Sequence, residues 1–169
     1  MTHPTQTIDW KGEKFNITWI KTNSLDGITP ITQVYGVCFN DKQEILIARK
    51  VGDEKWIIPG GTPENNETVE QTLKREMIEE VDIKVKNIKL VGAQKVYPVN
   101  KPKEYYYQVR CICEVDELLP QTLDPAEGVN WERKFVPADK ITDYVKWGNT
   151  GNAMFKDAIK LWKISHAPA

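Results

Sequence analysis

The chain has 169 residues, a formal net charge of −1 at pH 7, and 28% charged against 40% hydrophobic residues. This length suits one domain with a full core, so residues 1–169 are read as a single domain. No basic excess exists to drive counterion release, which argues against general nucleic-acid binding. The polar start from Met1 to Lys14 lacks an apolar signal core, and no run reaches membrane-spanning length. A cytoplasmic protein without membrane attachment is the expectation.

Along the chain, strands dominate. Residues 1–30 read as a hairpin-like extension, with Ile8–Trp10 and Lys14–Ile20 joined across a Lys-Gly turn. Ile31–Phe39 and Glu44–Arg49 read as a pair linked at Asn40-Asp41. A helix is predicted from Glu67 to Val81, with Asn66 as its cap. Lys84–Tyr97 and Glu104–Val115 alternate as two longer strands, and Asn130–Val136 reads as another. Pro137–Tyr144 is predicted as a short helix. Residues 149–164 form a closing amphipathic helix with Met154, Phe155, Ala158, Ile159 and Trp162 inward.

Ordinary nucleophile chemistry finds little support. Cys111 and Cys113 share a strand face with Tyr107 and Val109, no CxxC pair occurs, and buried core thiols are the reading. His3 and His166 lie near the termini, which argues against Ser-His or Cys-His mechanisms and His-ligated zinc. No GxxxxGK[ST] motif is present, so this is not a P-loop protein.

The informative stretch follows a Pro-Gly-Gly loop. Glu76, Glu79 and Glu80 stand at i, i+3 and i+4, close enough on one helix surface to repel. On a helical wheel, Val69, Leu73, Met77 and Val81 form an apolar stripe. Glu76 and Glu80 lie at its edge, with Glu79 beside Glu76. A solvated acidic face should sit opposite the apolar one; this one borders it and is expected to be partly buried. Such an all-oxygen cluster suits Mg²⁺, with Mn²⁺ as a substitute. Glu70 also falls in the apolar arc. Between residues 64 and 82, seven acids face only Lys74 and Arg75.

Gly61, Glu67, Arg75, Glu76, Met77, Glu79, Glu80 and Ile83 fit the Nudix box, GX5EX7REUXEEXGU, across residues 61–83. Six fixed positions at roughly 7% each coincide by chance on the order of once in ten million trials. Trp56-Ile-Ile-Pro-Gly-Gly61 resembles the family's lead-in, and Glu127 to Pro137 more loosely resembles a downstream segment. One position departs: Asp82 stands where the second glycine is expected. That glycine ends the helix in the left-handed region, where Asp and Asn are the most tolerant other residues. A modest stability cost and a preserved turn are expected.

The resemblance to the Nudix hydrolases implies an α/β/α sandwich with a mixed central sheet. It implies a Mg²⁺-dependent pyrophosphohydrolase acting on a nucleoside diphosphate linked to another group. On this pattern Glu76, Glu79 and Glu80 are the metal ligands and catalytic acids, with the Gly60 carbonyl as a further ligand. Gly61, Glu67 and Arg75 are structural, the last two as a pair fixing the loop against the helix. Glu127 is the candidate general base, with Glu132 and Asp124 as competitors. Arg49, Lys95 and Arg110 are candidates to meet phosphates, and Tyr35, Phe39 and Trp131 to stack a base, although solvated cations and core aromatics are the commoner states of such residues.

Substrate choice stays open among ADP-ribose or sugar-nucleotide types, nucleoside triphosphates and dinucleoside polyphosphates. Pro98 resembles a marker of the ADP-ribose subgroup, or simply ends a strand. A homodimer is compatible with the reading. The alternative function is a Nudix-fold nucleotide-binding or sensor domain that does not cleave.

Overall fold

A computed structural model describes residues 2–169. Among these residues eight strands are present: β1 (Thr5–Trp10), β2 (Glu13–Lys21), β3 (Ile31–Phe39), β4 (Glu44–Lys50), β5 (Gly60–Gly61), β6 (Ile83–Pro98), β7 (Tyr106–Leu118) and β8 (Trp131–Pro137). The helices are α1 (Val69–Val81), α2 (Ile141–Tyr144), preceded by a 3₁₀ turn at Ala138–Lys140, and α3 (Gly148–Ser165). The sheet order is β1-β2-β6-β7-β3-β4-β8, with β5 pairing β3. The β3–β7 pair is parallel and the other pairs are antiparallel, so the sheet is mixed as expected.

Two apolar cores flank it. On one face, Val37, Phe39, Ile45, Ile47 and Ile112 pack with Met154, Phe155, Ala158 and Trp162 of α3. On the other, Val34, Cys38, Leu46, Val109, Cys111 and Cys113 pack with Leu73, Met77 and Val81 of α1. The period of two along the strands divides their side chains between these cores. The result is the α/β/α sandwich. All three cysteines are buried and unbridged. Phe39 is a core residue, stacked on Trp162 at 4.8 Å between ring centres.

Helix α1 begins two residues later than its pattern suggested. Thr68, not Asn66, is the cap: its side chain accepts from the Gln71 N–H while Gln71 accepts from the Thr68 N–H. Asn66 instead adopts φ 65°, a left-handed turn in the preceding loop. Leu73, Met77 and Val81 are fully buried, each stabilising the fold by about 1.5–3 kcal/mol relative to exposure. Glu70 is exposed, so the helix turns its acidic first turn outward. Gly36 permits the close approach of α1, since a Cβ there would lie 2.6 Å from Met77 Cε.

The C-terminus of α1 turns at Asp82, with φ 52° and ψ 46°. Its carboxylate has a task that a glycine has no means to perform. Oδ2 accepts the Thr122 N–H at 2.8 Å and Oδ1 accepts the Thr122 hydroxyl at 2.7 Å. Arg133 of β8 donates to the carbonyls of Val81, Asp82 and Leu119. A cation from another strand thus meets the negative end of the helix dipole.

His166 is held in place although it lies near the C-terminus. Its ring stacks on Trp162 at 4.3 Å and contacts the Trp162 carbonyl and Glu114. Among the described residues, no helix is long and apolar enough to cross a membrane.

Candidate active site

The Pro-Gly-Gly loop reaches α1 through two glycines. Gly60 and Gly61 pair with Tyr35 and Val34 of β3. A Cβ on Gly60 would lie 2.1 Å from the Val34 carbonyl oxygen, and one on Gly61 would lie 2.3 Å from the Glu76 carboxylate. Any other residue would displace the strand or the glutamate. The Gly60 N–H donates to Glu80 Oε2 at 3.2 Å.

Arg75 organises the acids. Its Nε donates to Glu67 Oε1 at 2.7 Å and its Nη2 to Glu67 Oε2 at 3.0 Å, a two-pronged pair with a fixed geometry. Nη2 also donates to the Thr62 carbonyl at 2.9 Å, tying the loop to the helix. Nη1 donates to Glu76 Oε1 at 2.9 Å and Glu79 Oε2 at 3.0 Å. Glu67 further accepts from the Thr72 hydroxyl and the Glu64 N–H, both at 2.9 Å. With the Arg75 guanidinium against it, the Glu67 carboxyl is held down to about 2. Arg75 is correspondingly raised.

The two inner glutamates are both raised, against different opposition. Burial raises Glu76, opposed by Arg75. Burial pushes Glu80 up to about 8; the Gly60 N–H opposes this, while Glu76, Asp124 and Glu127 add repulsion. Three carboxyl groups with hard oxygen donors therefore share one end of α1 beside a glycine loop without Cβ atoms. That donor set fits a divalent cation. The three side chains do not converge on a single point: no group of three His, Cys, Asp or Glu residues among those described has the spacing to hold an ion. Arg75 engages Glu76 and Glu79, whereas Glu80 turns to Gly60.

The loop before β8 places the other acids. Glu127 is paired with Lys50, and its side chain is 49% exposed. Asp124 is 3% exposed. Its oxygens accept from the Ala126 and Glu127 N–H groups and from Trp131 Nε1, so it organises the loop. Glu132 is paired with Arg49 across β4 and β8. Arg49 also lies over Trp56 at 4.3 Å, and Lys95 lies over Tyr105 at 4.2 Å.

Arg110 is the residue that the strand pattern undervalued. Rather than a solvated strand cation, it is 2% exposed. It shares a face with Ile112, inside the α3 core, because residues two apart on a strand point the same way. That parity was legible in the sequence; the cover provided by Tyr35 and Trp147 was not.

The chain belongs to the Nudix hydrolase family: the model of the NUDIX domain matches residues 29–156. This is a class of enzymes that cleave phosphorus-containing acid anhydrides, generally with divalent metal. An RNA pyrophosphohydrolase from Actinobacillus succinogenes is 25% identical over 137 residues, 70% of this chain and 68% of that protein. Another, from Erwinia tasmaniensis, is 26% identical over 137 residues, 70% of this chain and 77% of the relative. A third, from Pasteurella multocida, is 34% identical over 70 residues, covering 41% of this chain and 34% of its own. Among solved structures, the Bacillus subtilis pyrophosphohydrolase BsRppH superposes with a TM-score of 0.67 at 16% identity, covering 90% of this chain and 93% of that one. A UDP-X diphosphatase superposes with a TM-score of 0.56 at 19% identity over 81% of this chain and 63% of its own. These structural likenesses carry the fold.

Proposed function

We propose that this chain is a Mg²⁺-dependent pyrophosphohydrolase that cleaves the phosphoanhydride of a nucleoside diphosphate derivative. The observation that carries the reading is that Glu76 and Glu80 meet the Gly61 and Gly60 backbone, with Glu79 held beside Glu76 on α1 by their shared partner Arg75. Glu76, Glu79, Glu80 and the Gly60 carbonyl are the groups that would hold the cation, which Mn²⁺ can replace. When bound, such a cation neutralises phosphate charge and lowers the pKa of water.

The remaining residues position. Arg75 and Glu67 hold the helix and loop in register, and Arg75 also restrains Glu76 and Glu79 until a stronger cation competes for them. Gly61 leaves room for the Glu76 carboxylate. Glu127 is the general base in this reading, and Lys50 must release it to act. Asp124 is less suited, since it is buried and holds the loop through the Ala126 and Glu127 N–H groups and Trp131 Nε1. Glu132 is ion-paired as Glu127 is, but it is Glu127 whose charge acts on Glu80. The whole chain acts as one catalytic domain and works in the cytoplasm on small nucleotides.

The substrate within this class is tested by release of phosphate or nucleotide from a panel with and without Mg²⁺. The panel contains nucleoside triphosphates, 5′-triphosphorylated RNA, ADP-ribose, sugar nucleotides and dinucleoside polyphosphates. Metal-dependent turnover of one group supports the proposal. Tight binding of one compound with no turnover of any replaces it with the non-cleaving sensor.

A further inference from the structure

Arg110 is a buried cation without an anion. Its Nη2 donates to Gln94 Oε1 at 2.8 Å and Gln108 Oε1 at 3.1 Å, and its Nη1 to the Val109 carbonyl at 3.3 Å. Its Nε has no hydrogen-bond partner among the described residues. No carboxylate of those residues contacts the guanidinium, which instead lies 4.5 Å from the Tyr35 ring centre and 5.4 Å from that of Trp147. Burial lowers its pKa to about 10, with only Tyr35 and Cys111 opposing. Neutral amides and aromatic faces compensate a buried charge only in part, and proteins ordinarily pair one.

The surroundings add donors rather than acceptors. Gln33 Oε1 accepts the Tyr35 hydroxyl at 2.8 Å, and the oxygens of Gln94 and Gln108 accept from Arg110. With those oxygens engaged, the NH₂ groups are what the three amides offer a ligand. Trp147 is the residue before α3, an 18-residue helix with no acid in its first turn and no side-chain cap from Trp147. The Arg110 guanidinium therefore sits beside the positive end of a helix dipole. Gln6 meets this end, donating to the Trp147 carbonyl at 2.9 Å and accepting the Thr150 N–H at 3.2 Å.

The surroundings of Arg110 adjoin the glutamate site through Tyr35. Tyr35 carries Arg110 against its ring, and a Cβ on its β5 partner Gly60 would lie 2.7 Å from Tyr35 Cδ1. Gly60 in turn donates to Glu80. One tyrosine thus separates the unpaired cation from the carboxyl cluster.

We propose that Arg110, the Gln33, Gln94 and Gln108 amides and the α3 N-terminus form an anion subsite. It takes a phosphate group of the nucleotide substrate other than the one attacked at the glutamates, with Trp147 moving aside to admit it. The subsite depends on the hydrolase reading only for the molecule that carries the phosphate.

The test uses the full chain in EDTA, where metal-dependent turnover is silent, so its failure is separate from failure of the hydrolase reading. Arginine side chains are ¹⁵N-labelled, and the Arg110 Nε–H resonance is assigned by its loss in Arg110→Lys. The probes are ADP, inorganic tripolyphosphate, inorganic phosphate and adenosine. The expected result is a saturable shift with ADP and tripolyphosphate and none with adenosine. Arg110→Met should bind ADP at least tenfold more weakly while its Tm equals or exceeds that of the parent. A resonance unmoved at high ADP and tripolyphosphate overturns the proposal, whether or not inorganic phosphate shifts it. A lowered Tm in Arg110→Met with ADP affinity within twofold of the parent also overturns it, by making Arg110 structural. Should Arg110→Met not fold, the titration of the parent chain decides.

Discussion

Gly61 lies so close to Glu76 that a Cβ on the glycine would sit 2.3 Å from the glutamate's Oε1. The loop and the helix can therefore share that space only while residue 61 has no side chain. Gly61→Ala should push the Glu76 carboxylate out of place and lower kcat/KM on the order of 100-fold. Steady-state kinetics on the substrate found in the panel would check this. Parental kcat/KM in the alanine variant would remove Glu76 from the metal site.

Asp82→Gly brings the chain into line with the family motif, yet it should destabilise the protein. Glycine relieves about 1–2 kcal/mol of left-handed strain. It also removes two hydrogen bonds from Thr122 to a buried carboxylate, each contributing about 1.5–3 kcal/mol. A net loss of about 1–5 kcal/mol is expected in urea unfolding. A more stable glycine variant would show that the Thr122 contacts contribute little.

Glu80 is half-buried and feels the charges of Glu76, Asp124 and Glu127. In the metal-free protein its carboxyl stays protonated up to about pH 8, so above about pH 4.5 folding must take up a proton, and Glu80→Gln should raise stability by about 1–3 kcal/mol near pH 7. The same variant should lose metal-dependent turnover. Thermal melts in EDTA and in Mg²⁺ separate the effects: Mg²⁺ should stabilise the parent and leave the glutamine variant nearly unchanged. Equal Mg²⁺ stabilisation of both would place the cation elsewhere.

Glu67 supplies a pH dependence. Its carboxyl is held down to about 2 in the folded chain, chiefly by Arg75, against an ordinary value of 4.5. The folded state then binds fewer protons than the unfolded one between those values. Its stabilisation is present above about pH 4.5 and is lost as pH falls toward 2. Glu67→Gln should show a shallower fall in Tm across that interval and approach the parent at its lower end. Identical pH profiles would show that the pair acts without titrating.

Much of this architecture was legible because it follows periodicity. Leu73, Met77 and Val81 announced the buried stripe of α1, and alternation located the long β6 and β7 strands, which extend to Pro98 and Leu118. What escaped depends on contacts between distant segments. The two-residue β5 is too short to carry a pattern. Thr68-x-x-Gln71 was a readable capping box, but Asn66 drew attention because its role in a left-handed turn depends on loop geometry. The Thr122 and Arg133 bonds around Asp82, and the cover over Arg110, join residues 14 to 75 positions apart. No local pattern encodes such partners.

The most direct test of the central claim compares the parent and Glu79→Gln for Mg²⁺-dependent phosphoanhydride hydrolysis of the same nucleotide. Circular dichroism confirms that both are folded. The account predicts turnover by the parent that stops in EDTA, and none by Glu79→Gln with Mg²⁺ present. Equal turnover by the two proteins would contradict it.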